Sequence, residues 1–275
     1  MTKMELKGNL IKLKTSLNEK NDVCYNLELE KDNPIILNNF IGSQIEISFS
    51  GLIYCIATGV KISKSYNQGY SYKSYITLPE CDLCQVRPEL CHFAAGTCRN
   101  SDWGKENCFI PHIVYLSETS DVKVGITRKR NLINRWIDQG ALQAIQLMEV
   151  SNRLEAGKIE VELKKYFKDI TNWRKMLKKK SCEENLLEVK RKILTSLFQS
   201  IDLSNYENIT HEVLKLNYPI EDKFFAQEKV TSLSLDKEKK INGELLGIKG
   251  QYLLLSTGVF NLRKYQGYQV DWKFS

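Results

Sequence analysis

The most informative absences in this sequence are those of long apolar runs and of low-complexity composition. Only 5 prolines and 15 glycines occur among 275 residues, which excludes a Pro- or Gly-rich low-complexity protein. No apolar run approaches the roughly 20 residues that a membrane-spanning helix needs. Residues 1–5 carry an early acid and no apolar block, unlike a secretory signal. We therefore expect a cytoplasmic protein that does not enter a membrane.

The sequence does contain enough apolar material, 42% of its residues, for a sizeable core and more than one domain. Its patterns predict five segments: an N-terminal β segment at 1–60, a cysteine-rich zinc region at 61–111, a central core at 112–180, a helical segment at 181–221 and a C-terminal β segment at 222–275. In the helical segment, Ser181 and Glu184 have the spacing of a capping box, and a second helix is predicted over 205–216.

Positive charge is concentrated in one part of the chain. The net charge is +7, and residues 112–180 alone hold 15 Lys or Arg against 8 Asp or Glu, so the rest of the chain sums to zero. A local basic field favours phosphate partners, and the alternative is a solvated face. We expect nucleic acid as the partner, with DNA and RNA equally open. The residues predicted to bind it are Arg128, Lys129, Arg130 and Arg174.

Five of the 8 cysteines fall between Cys81 and Cys108. A reducing compartment disfavours disulfides, and residues 61–111 have few aliphatic side chains to hold them by burial, so a metal is the natural explanation. Cys81 and Cys84 have the C-x2-C spacing with which two thiolates chelate one Zn²⁺. The remaining ligands come from Cys91, His92, Cys98, Cys108 or His112, and thiolates are preferred because sulfur gives a closed structural site.

The predicted metal residues are thus Cys81, Cys84, Cys91, Cys98 and Cys108, with structural zinc as the cofactor. The alternative for this cluster is a set of reduced thiols that only pack. Cys24, Cys55 and Cys182 are isolated in sequence and are interpreted as core residues.

The central segment has the element order strand, strand, helix, strand, helix. The predicted elements are strands at 112–116 and 122–127, a helix at 131–139 that Gly140 stops, a strand at 142–150, and a helix that Ser151 or Asn152 caps and that runs to Phe167.

This segment resembles the GIY-YIG nuclease core, in the variant whose second motif reads Lys-Ile-Gly. Residues 113–115 (Ile-Val-Tyr) lie where the first signature lies, and residues 123–125 (Lys-Val-Gly) where the second lies, followed by Thr127. Arg135 and Glu160 match the arginine of the first helix and the glutamate of the second. The resemblance implies an α+β fold with a GIY-YIG-like ββαβα core, flanked by N- and C-terminal β segments and a cysteine-rich zinc-binding insert.

The resemblance also implies roles in phosphodiester hydrolysis. Tyr115 would contact or activate the water, and Lys123 would hold a phosphate. Arg135 would neutralise the phosphate oxygens, because its planar guanidinium suits that geometry. Glu160 would hold one catalytic Mg²⁺. The sequence departs from the family pattern in having no second signature tyrosine and no histidine near the first helix.

Helical spacing independently singles out Glu160. At about 100° per residue, an apolar stripe runs along the second helix, and Glu160 borders it more closely than Glu155 or Glu162. The stripe consists of Ala156, Ile159, Leu163 and Phe167. A carboxylate at the edge of a buried face often has a function, and the alternative is a solvated glutamate on an amphipathic helix.

Longer motifs along nearly the whole chain resemble the bacterial domain-of-unknown-function family 2797. They lie at residues 65–70, 81–84, 96–99, 124–128, 136–141, 172–174 and 247–252. The resemblance implies no activity. It does imply an early set of paired cysteines, and here those positions read Cys55, Thr58, Ser71 and Ser74, so that a metal site there is dismantled.

Three functions follow as hypotheses. The first is a nucleic-acid-binding protein with a metal-dependent phosphodiester-cleaving core. The second is a zinc-stabilised nucleic-acid-binding or interaction module whose nuclease-like core is inactive, since a fold does not fix an activity. The third, an interaction module without nucleic acid, has the least in its favour.

Overall fold

A computed structural model describes residues 4–29, 34–167, 172–197 and 212–275. The chain forms two compact units. One takes the described residues up to Ile76 together with Asn217–Ser275, and the other takes those of Thr77–Leu216. The five segments predicted from the sequence divide the chain more finely and stay a prediction. No helix in the described part of the chain is both long and apolar enough to cross a membrane.

The fold is α+β, as predicted, with antiparallel sheets. The strands are β1 (Met4–Asn9), β2 (Lys14–Leu17), β3 (Val23–Leu27), β4 (Ile35–Ile36), β5 (Gln44–Tyr54), β6 (Lys61–Ile62), β7 (His112–Glu118), β8 (Val122–Arg128), β9 (Gln143–Val150), β10 (Leu214–Lys215), β11 (Lys240–Lys249), β12 (Tyr252–Leu255), β13 (Gly258–Asn261) and β14 (Tyr268–Phe274). The helices are α1 (Tyr72–Thr77), α2 (Ser101–Asn107), α3 (Leu132–Asp138), α4 (Arg153–Leu163), α5 (Trp173–Lys178), α6 (Leu186–Leu197) and α7 (Asp222–Phe225).

The first unit is built on one sheet that both ends of the chain share. Its strand order is β1-β14-β5-β11-β12-β13, with β6 added on β5, and a smaller sheet has the order β2-β3-β4. In β14, burial alternates along the strand, and Val270, Trp272 and Phe274 lie in the core. This alternation is the period of a sheet that buries one face. The strand order also shows that strands of the N-terminal and C-terminal β segments pair with each other.

The second unit is built on a sheet of order β10-β9-β7-β8, with β7 buried along its whole length. Val114 and Leu116 of β7 face a core that the apolar stripe of α4 and residues of α6 complete. Tyr115 lies between them in the strand and so points to the other face. The register of β7 with β9 shifts between Val114 and Tyr115. Such bulges redirect side chains and often lie beside functional sites.

Local signals place the helix ends of this unit. The side chain of Asn152 accepts a hydrogen bond from the backbone N–H of Glu155 at 3.0 Å and caps α4, as predicted. Gly140, with φ of +68°, follows α3 and ends it. The predicted extension of α4 to Phe167 is wrong, because the helix ends at Leu163.

The predicted capping box of Ser181 and Glu184 is also wrong. Helix α6 begins at Leu186, and the side chain of Asn185 accepts hydrogen bonds from the N–H groups of Leu187 and Glu188 at 3.2 and 3.4 Å. Of the second helix predicted over 205–216, residues 205–211 lie outside the described residues, and Leu214–Lys215 form strand β10 instead.

A buried ion pair holds the start of this helical segment against the sheet. Glu118, at the end of β7, is fully buried, and its carboxylate lies 2.7 Å from the Nζ of Lys179. The same carboxylate accepts hydrogen bonds from the backbone N–H of Glu183 and from the side chain of Gln143. A buried charge is tolerated when it is paired and hydrogen-bonded in this way.

Candidate functional site

Tyr115 and Gly125 face each other across β7 and β8. They are partners in the strand register, and a Cβ atom added to Gly125 would lie 2.6 Å from the Tyr115 hydroxyl oxygen and 2.7 Å from its Cζ. Any side chain at position 125 would therefore displace the tyrosine ring. The glycine of the second predicted signature makes room for the tyrosine of the first.

The Tyr115 hydroxyl has two partners on α3. It donates a hydrogen bond to the Oε1 of Gln139 at 2.9 Å and accepts one from the Arg135 guanidinium. The ring meets Trp136 edge to face, with centroids 5.9 Å apart. Because these α3 residues are one and four positions apart, they lie on the helix face that packs over the sheet.

Glu160 on α4 lies within electrostatic range of this group. Its side chain is only 12% exposed and lies 3.9 Å from the Nζ of Lys164, one helical turn further along. The carboxylate also interacts electrostatically with Tyr115 and Arg135. We call Tyr115, Arg135, Gln139, Glu160 and Lys164 the central cluster. It brings together three of the four residues predicted to be catalytic.

The electrostatics of the central cluster keep the tyrosine neutral and the arginine charged. Burial raises the pKa of the Tyr115 hydroxyl, more than the neighbouring Arg135 lowers it. The pKa of Arg135 is raised above its ordinary value by Tyr115, despite burial, with further contributions from Asp138 and Glu160. At neutral pH the Tyr115 hydroxyl is therefore protonated. It can donate and accept hydrogen bonds, and it does not act as a general base.

The fourth predicted catalytic residue, Lys123, is half-buried on β8 opposite Ser117. It lies two residues from Gly125 and therefore on the same face of the strand. Sequence reasoning missed Gln139 and Lys164. Their signal was the four-residue spacing from Arg135 and from Glu160, which places side chains on one helix face.

The basic residues predicted to bind nucleic acid are engaged with the protein to different degrees. Arg128 donates a hydrogen bond to the backbone oxygen of Asn107 at 2.8 Å and lies over the ring of Trp103. Arg130 donates to the side chain of Asn107, and Lys129 pairs with Glu149 at 2.8 Å while staying 62% exposed. Arg174 is exposed, over the ring of its neighbour Trp173. Arg128 and Arg130 of the predicted basic face thus also stabilise the end of β8 through their hydrogen bonds to Asn107.

A second cluster lies in the cysteine-rich region. The thiol of Cys91 is hydrogen-bonded to the thiols of Cys84 and Cys108, and the three residues pack against Phe93, Trp103 and Leu154. The pKa of Cys91 is lowered because the thiols of Cys108 and Cys84 donate to it, and the pKa values of those two thiols are raised. We call these three residues with Cys98 the thiol cluster, since Cys98 lines the same pocket.

Three residues around this pocket form a group that could hold a metal ion. Ligand atoms of Asp82, Cys84 and His92 all lie within 4.8 Å of one another. The Asp82 carboxylate also accepts a hydrogen bond from the N–H of Cys84 and pairs with Arg99 at 2.7 Å. Because Arg99 already neutralises this carboxylate, the sulfur atoms are the better metal donors of the pocket.

Two other candidate ligands do not line this pocket. Cys81 is buried but is not among the residues that line the pocket. His112 is also buried outside that lining, and its Nδ1 lies 2.7 Å from the Ile110 carbonyl oxygen. Burial lowers the pKa of His112 to about 4, so the ring is neutral at neutral pH.

Helix α4 joins the thiol cluster to the central cluster. Buried Arg153, in its first turn, donates hydrogen bonds to the carbonyl oxygens of Cys84 and Gln85. A Cβ atom added to Gly157 would lie 2.4 Å from the backbone of Pro88 and Glu89, so the helix packs directly on that loop. Seven residues beyond Arg153, the same helix carries Glu160.

The early positions Cys55, Thr58, Ser71 and Ser74 also meet, in the first unit. The Sγ of Cys55 lies 3.4 Å from the Oγ of Ser74, which accepts a hydrogen bond from Ser71 at 2.9 Å. Burial raises the pKa of Cys55, but hydrogen bonds from Ser74 and Thr58 outweigh this and lower it to about 6. One thiol and three hydroxyls are a poor donor set for zinc.

The other two isolated cysteines differ from Cys55. Cys55 is buried, as predicted for a core residue, whereas Cys24 and Cys182 are only partly buried. The core prediction is therefore wrong for these two. Cys24 alternates with buried neighbours in β3 and so points to the other side of the strand.

Comparison with known proteins identifies one family. No curated protein and no solved structure gives a significant match to the chain. A family model, described as a protein of unknown function, matches residues 42–270, which is most of the chain. That span includes the central cluster, the thiol cluster and strands of both units. The chain therefore belongs to the DUF2797 family.

Proposed function

We propose that this protein binds nucleic acid and that the central cluster is the phosphodiester-cleaving site of a GIY-YIG-like core. The observation that carries the proposal is that Tyr115 of the hairpin is hydrogen-bonded to Arg135 of the first helix and that both interact electrostatically with Glu160 of the second helix. The ββαβα order of these elements supports it as well. Three residue types suited to phosphate chemistry converge from positions far apart in sequence.

Each residue of the cluster has a role in this proposal. Arg135 neutralises the phosphate oxygens, and its raised pKa keeps it charged. Lys164 extends this positive field beside Glu160. Tyr115 holds Arg135 and Gln139 in place through its buried hydroxyl, and it does not remove a proton from water because its pKa is raised.

The donor set fits a divalent metal of the Mg²⁺ class. Mg²⁺ is commonly held by one or two carboxylates together with substrate phosphates, and Glu160 supplies one carboxylate at the edge of the cluster. A bound Mg²⁺ would supply Lewis-acid stabilisation of the phosphate and a more acidic water. Glu160 would hold it, and the neighbouring cations would hold the phosphate.

Binding without cleavage is the second candidate function. Its support is that the Tyr115 side chain is fully buried and that Glu160 already has a lysine neighbour. Under this alternative, the central cluster holds the core together, and the exposed basic residues hold the phosphates.

We propose further that the thiol cluster binds one structural Zn²⁺. Four sulfur ligands form the closed tetrahedral site typical of structural zinc. Cys84, Cys91 and Cys108 already meet, and Cys98 lines the same pocket. Arg153 couples such a site to α4, so the metal would order the helix that carries Glu160.

The test is cleavage of labelled DNA and RNA with Mg²⁺, with Mn²⁺ and with chelator. Glu160→Gln should abolish metal-dependent cleavage and leave nucleic-acid binding within about twofold, because little binding energy comes from a carboxylate. Glu162→Gln is the matched control: it lies on the same helix, 39% exposed and paired with Lys165. Its rate should equal that of the wild type.

Two outcomes would decide against cleavage at this site. Equal rates for Glu160→Gln and wild type would assign the activity to another site. Absence of cleavage by the wild type with either metal, together with salt-sensitive binding, would select the second candidate function.

A further inference from the structure

The first unit exposes a cluster of tyrosines that the proposed cleavage site does not use. Tyr72 is 59% exposed and Tyr75 is 39% exposed, both on α1. Their rings lie 5.3 and 6.0 Å from that of Tyr66, with Tyr75 and Tyr66 stacked at 19°. The Nζ of Lys64 lies 5.3 Å from the centroid of the Tyr66 ring. We call Lys64, Tyr66, Tyr72 and Tyr75 the tyrosine patch.

A rigid local framework holds the tyrosine patch. Tyr66 and Tyr70 exchange two backbone hydrogen bonds and close a tight loop. Gly69 in that loop has φ of +126°, and an added Cβ atom would lie 2.7 Å from Ile56. Beneath α1, Ser74 is buried against Cys55. The rings are therefore presented by anchored backbone, and little conformational entropy is lost when a partner binds.

The charged side chains in the segment that carries the patch are all positive. Residues 55–77 contain three lysines, Lys61, Lys64 and Lys73, and no aspartate or glutamate. All three lysines are exposed. The Nε of Arg263 donates a hydrogen bond to the side chain of Gln68 at 2.9 Å, which brings a fourth cation to the loop that Tyr66 and Tyr70 close. This field favours an anionic partner.

We propose that the tyrosine patch is a binding surface for single-stranded nucleic acid. Exposed aromatic faces stack on unpaired bases, and flanking lysines neutralise the phosphates between them. A duplex offers its bases only at their edges and would leave the tyrosine faces unused. The choice of nucleic acid rests on the proposed function, whereas the site does not depend on cleavage at Glu160.

Fluorescence anisotropy with a labelled single-stranded oligonucleotide of about 16 nucleotides tests this surface. Tyr72→Ala should weaken binding by about tenfold, as loss of one stacking ring does. Tyr72→Phe should bind like the wild type, because the ring face remains. Tyr166→Ala is the matched control, a tyrosine that is 55% exposed in the second unit.

Lysine contacts give a second, independent readout. Lys64→Gln should reduce the slope of log affinity against log salt by about 0.7, the value for one phosphate contact on a single strand. The exposure of Lys64 and Tyr72 makes both substitutions tolerable to the fold. Thermal unfolding of each variant should match the wild type.

Three results would overturn the inference. The Tyr72→Ala variant could bind the single strand as tightly as the wild type, or Tyr166→Ala could lose as much affinity as Tyr72→Ala. The wild type could also fail to bind the single strand at low salt. A duplex bound more tightly than the single strand, with no effect of Tyr72→Ala, would also overturn it. Failure of the cleavage proposal is seen separately, in the Glu160→Gln and Glu162→Gln rates. If the wild type cleaves as proposed and the Tyr72→Ala variant binds the single strand with unchanged affinity, only the proposal for the tyrosine patch is refuted.

Discussion

The hydroxyl oxygen of Tyr115 lies 2.6 Å from the position that a Cβ atom would occupy on Gly125. Real Cβ atoms do not approach a neighbour so closely, and β7 and β8 are paired on both sides of this contact. The ring therefore depends on the absence of a side chain on the opposite strand. Its hydroxyl, in turn, joins Gln139 and Arg135 of α3 to the sheet.

Gly125→Ala should lower the free energy of unfolding by about 1–3 kcal/mol, the usual cost of overpacking a closed core. The added methyl group must push Tyr115 away, which also breaks the hydrogen bond to Gln139 and moves Arg135. Denaturant unfolding measures the loss. The rate of cleavage should fall together with stability.

A double-mutant cycle supplies the control for this prediction. In a Tyr115→Leu background the crowding atoms are gone, so Gly125→Ala should cost much less than in the wild-type background. Equal costs in the two backgrounds would show that the glycine is needed for another reason.

The proposed zinc site of the cysteine-rich region includes Cys98 and does not include Cys81. Cys98→Ser should reduce bound zinc below about half an equivalent, because a four-sulfur site loses one ligand. Cys81→Ser should keep about one equivalent, since Cys81 does not line the pocket. Elemental analysis after gentle purification measures both, with Cys24→Ser as the control.

The reverse result would support zinc ligation by the C-x2-C pair, Cys81 and Cys84, that the sequence favours. Loss of zinc in Cys81→Ser with retention in Cys98→Ser would mean that Cys81 and Cys84 chelate together. Absence of zinc from the wild type, with all thiols titratable, would refute the structural zinc altogether.

The buried pair of Glu118 and Lys179 should govern acid stability. Burial raises the pKa of Glu118, but the hydrogen bonds from Lys179 and the Glu183 N–H outweigh this, so the net pKa lies below the ordinary value of 4.5. A lowered carboxylate pKa contributes stability that is fully present above the unfolded-state pKa. That contribution is lost as the pH falls from about 4.5 through the folded-state pKa.

Glu118→Gln should therefore lose about 3–5 kcal/mol at neutral pH, as expected when one partner of a buried pair is removed. Its stability should also fall less steeply than that of the wild type on acidification below pH 4.5. Urea unfolding across this pH range measures both effects. The control is Glu183→Gln, whose 62% exposed side chain also pairs with Lys179 and should cost about 0–1 kcal/mol. Similar losses in the two variants would contradict the buried role of Glu118.

The local part of this structure was determined by the sequence itself. Alternating apolar residues predict the hairpin of β7 and β8, and Gly140 and Asn152 mark the end of α3 and the start of α4. These signals are readable because a helix cap or a strand pattern depends on residues within one turn or one strand. The same locality placed Glu160 at the edge of the α4 stripe, where the structure has it.

Only the tertiary structure decided which distant groups meet. The predicted cap at Ser181 is wrong because the N–H groups of that segment are taken by Glu118, more than 60 residues earlier. Cys84 meets Cys91 and Cys108, while Cys81, three residues away in sequence, lies outside the pocket lining. Such partners are selected by burial, since a buried charge or thiol must find a partner wherever the chain brings one. The spacing of residues in the sequence does not show which partner is chosen.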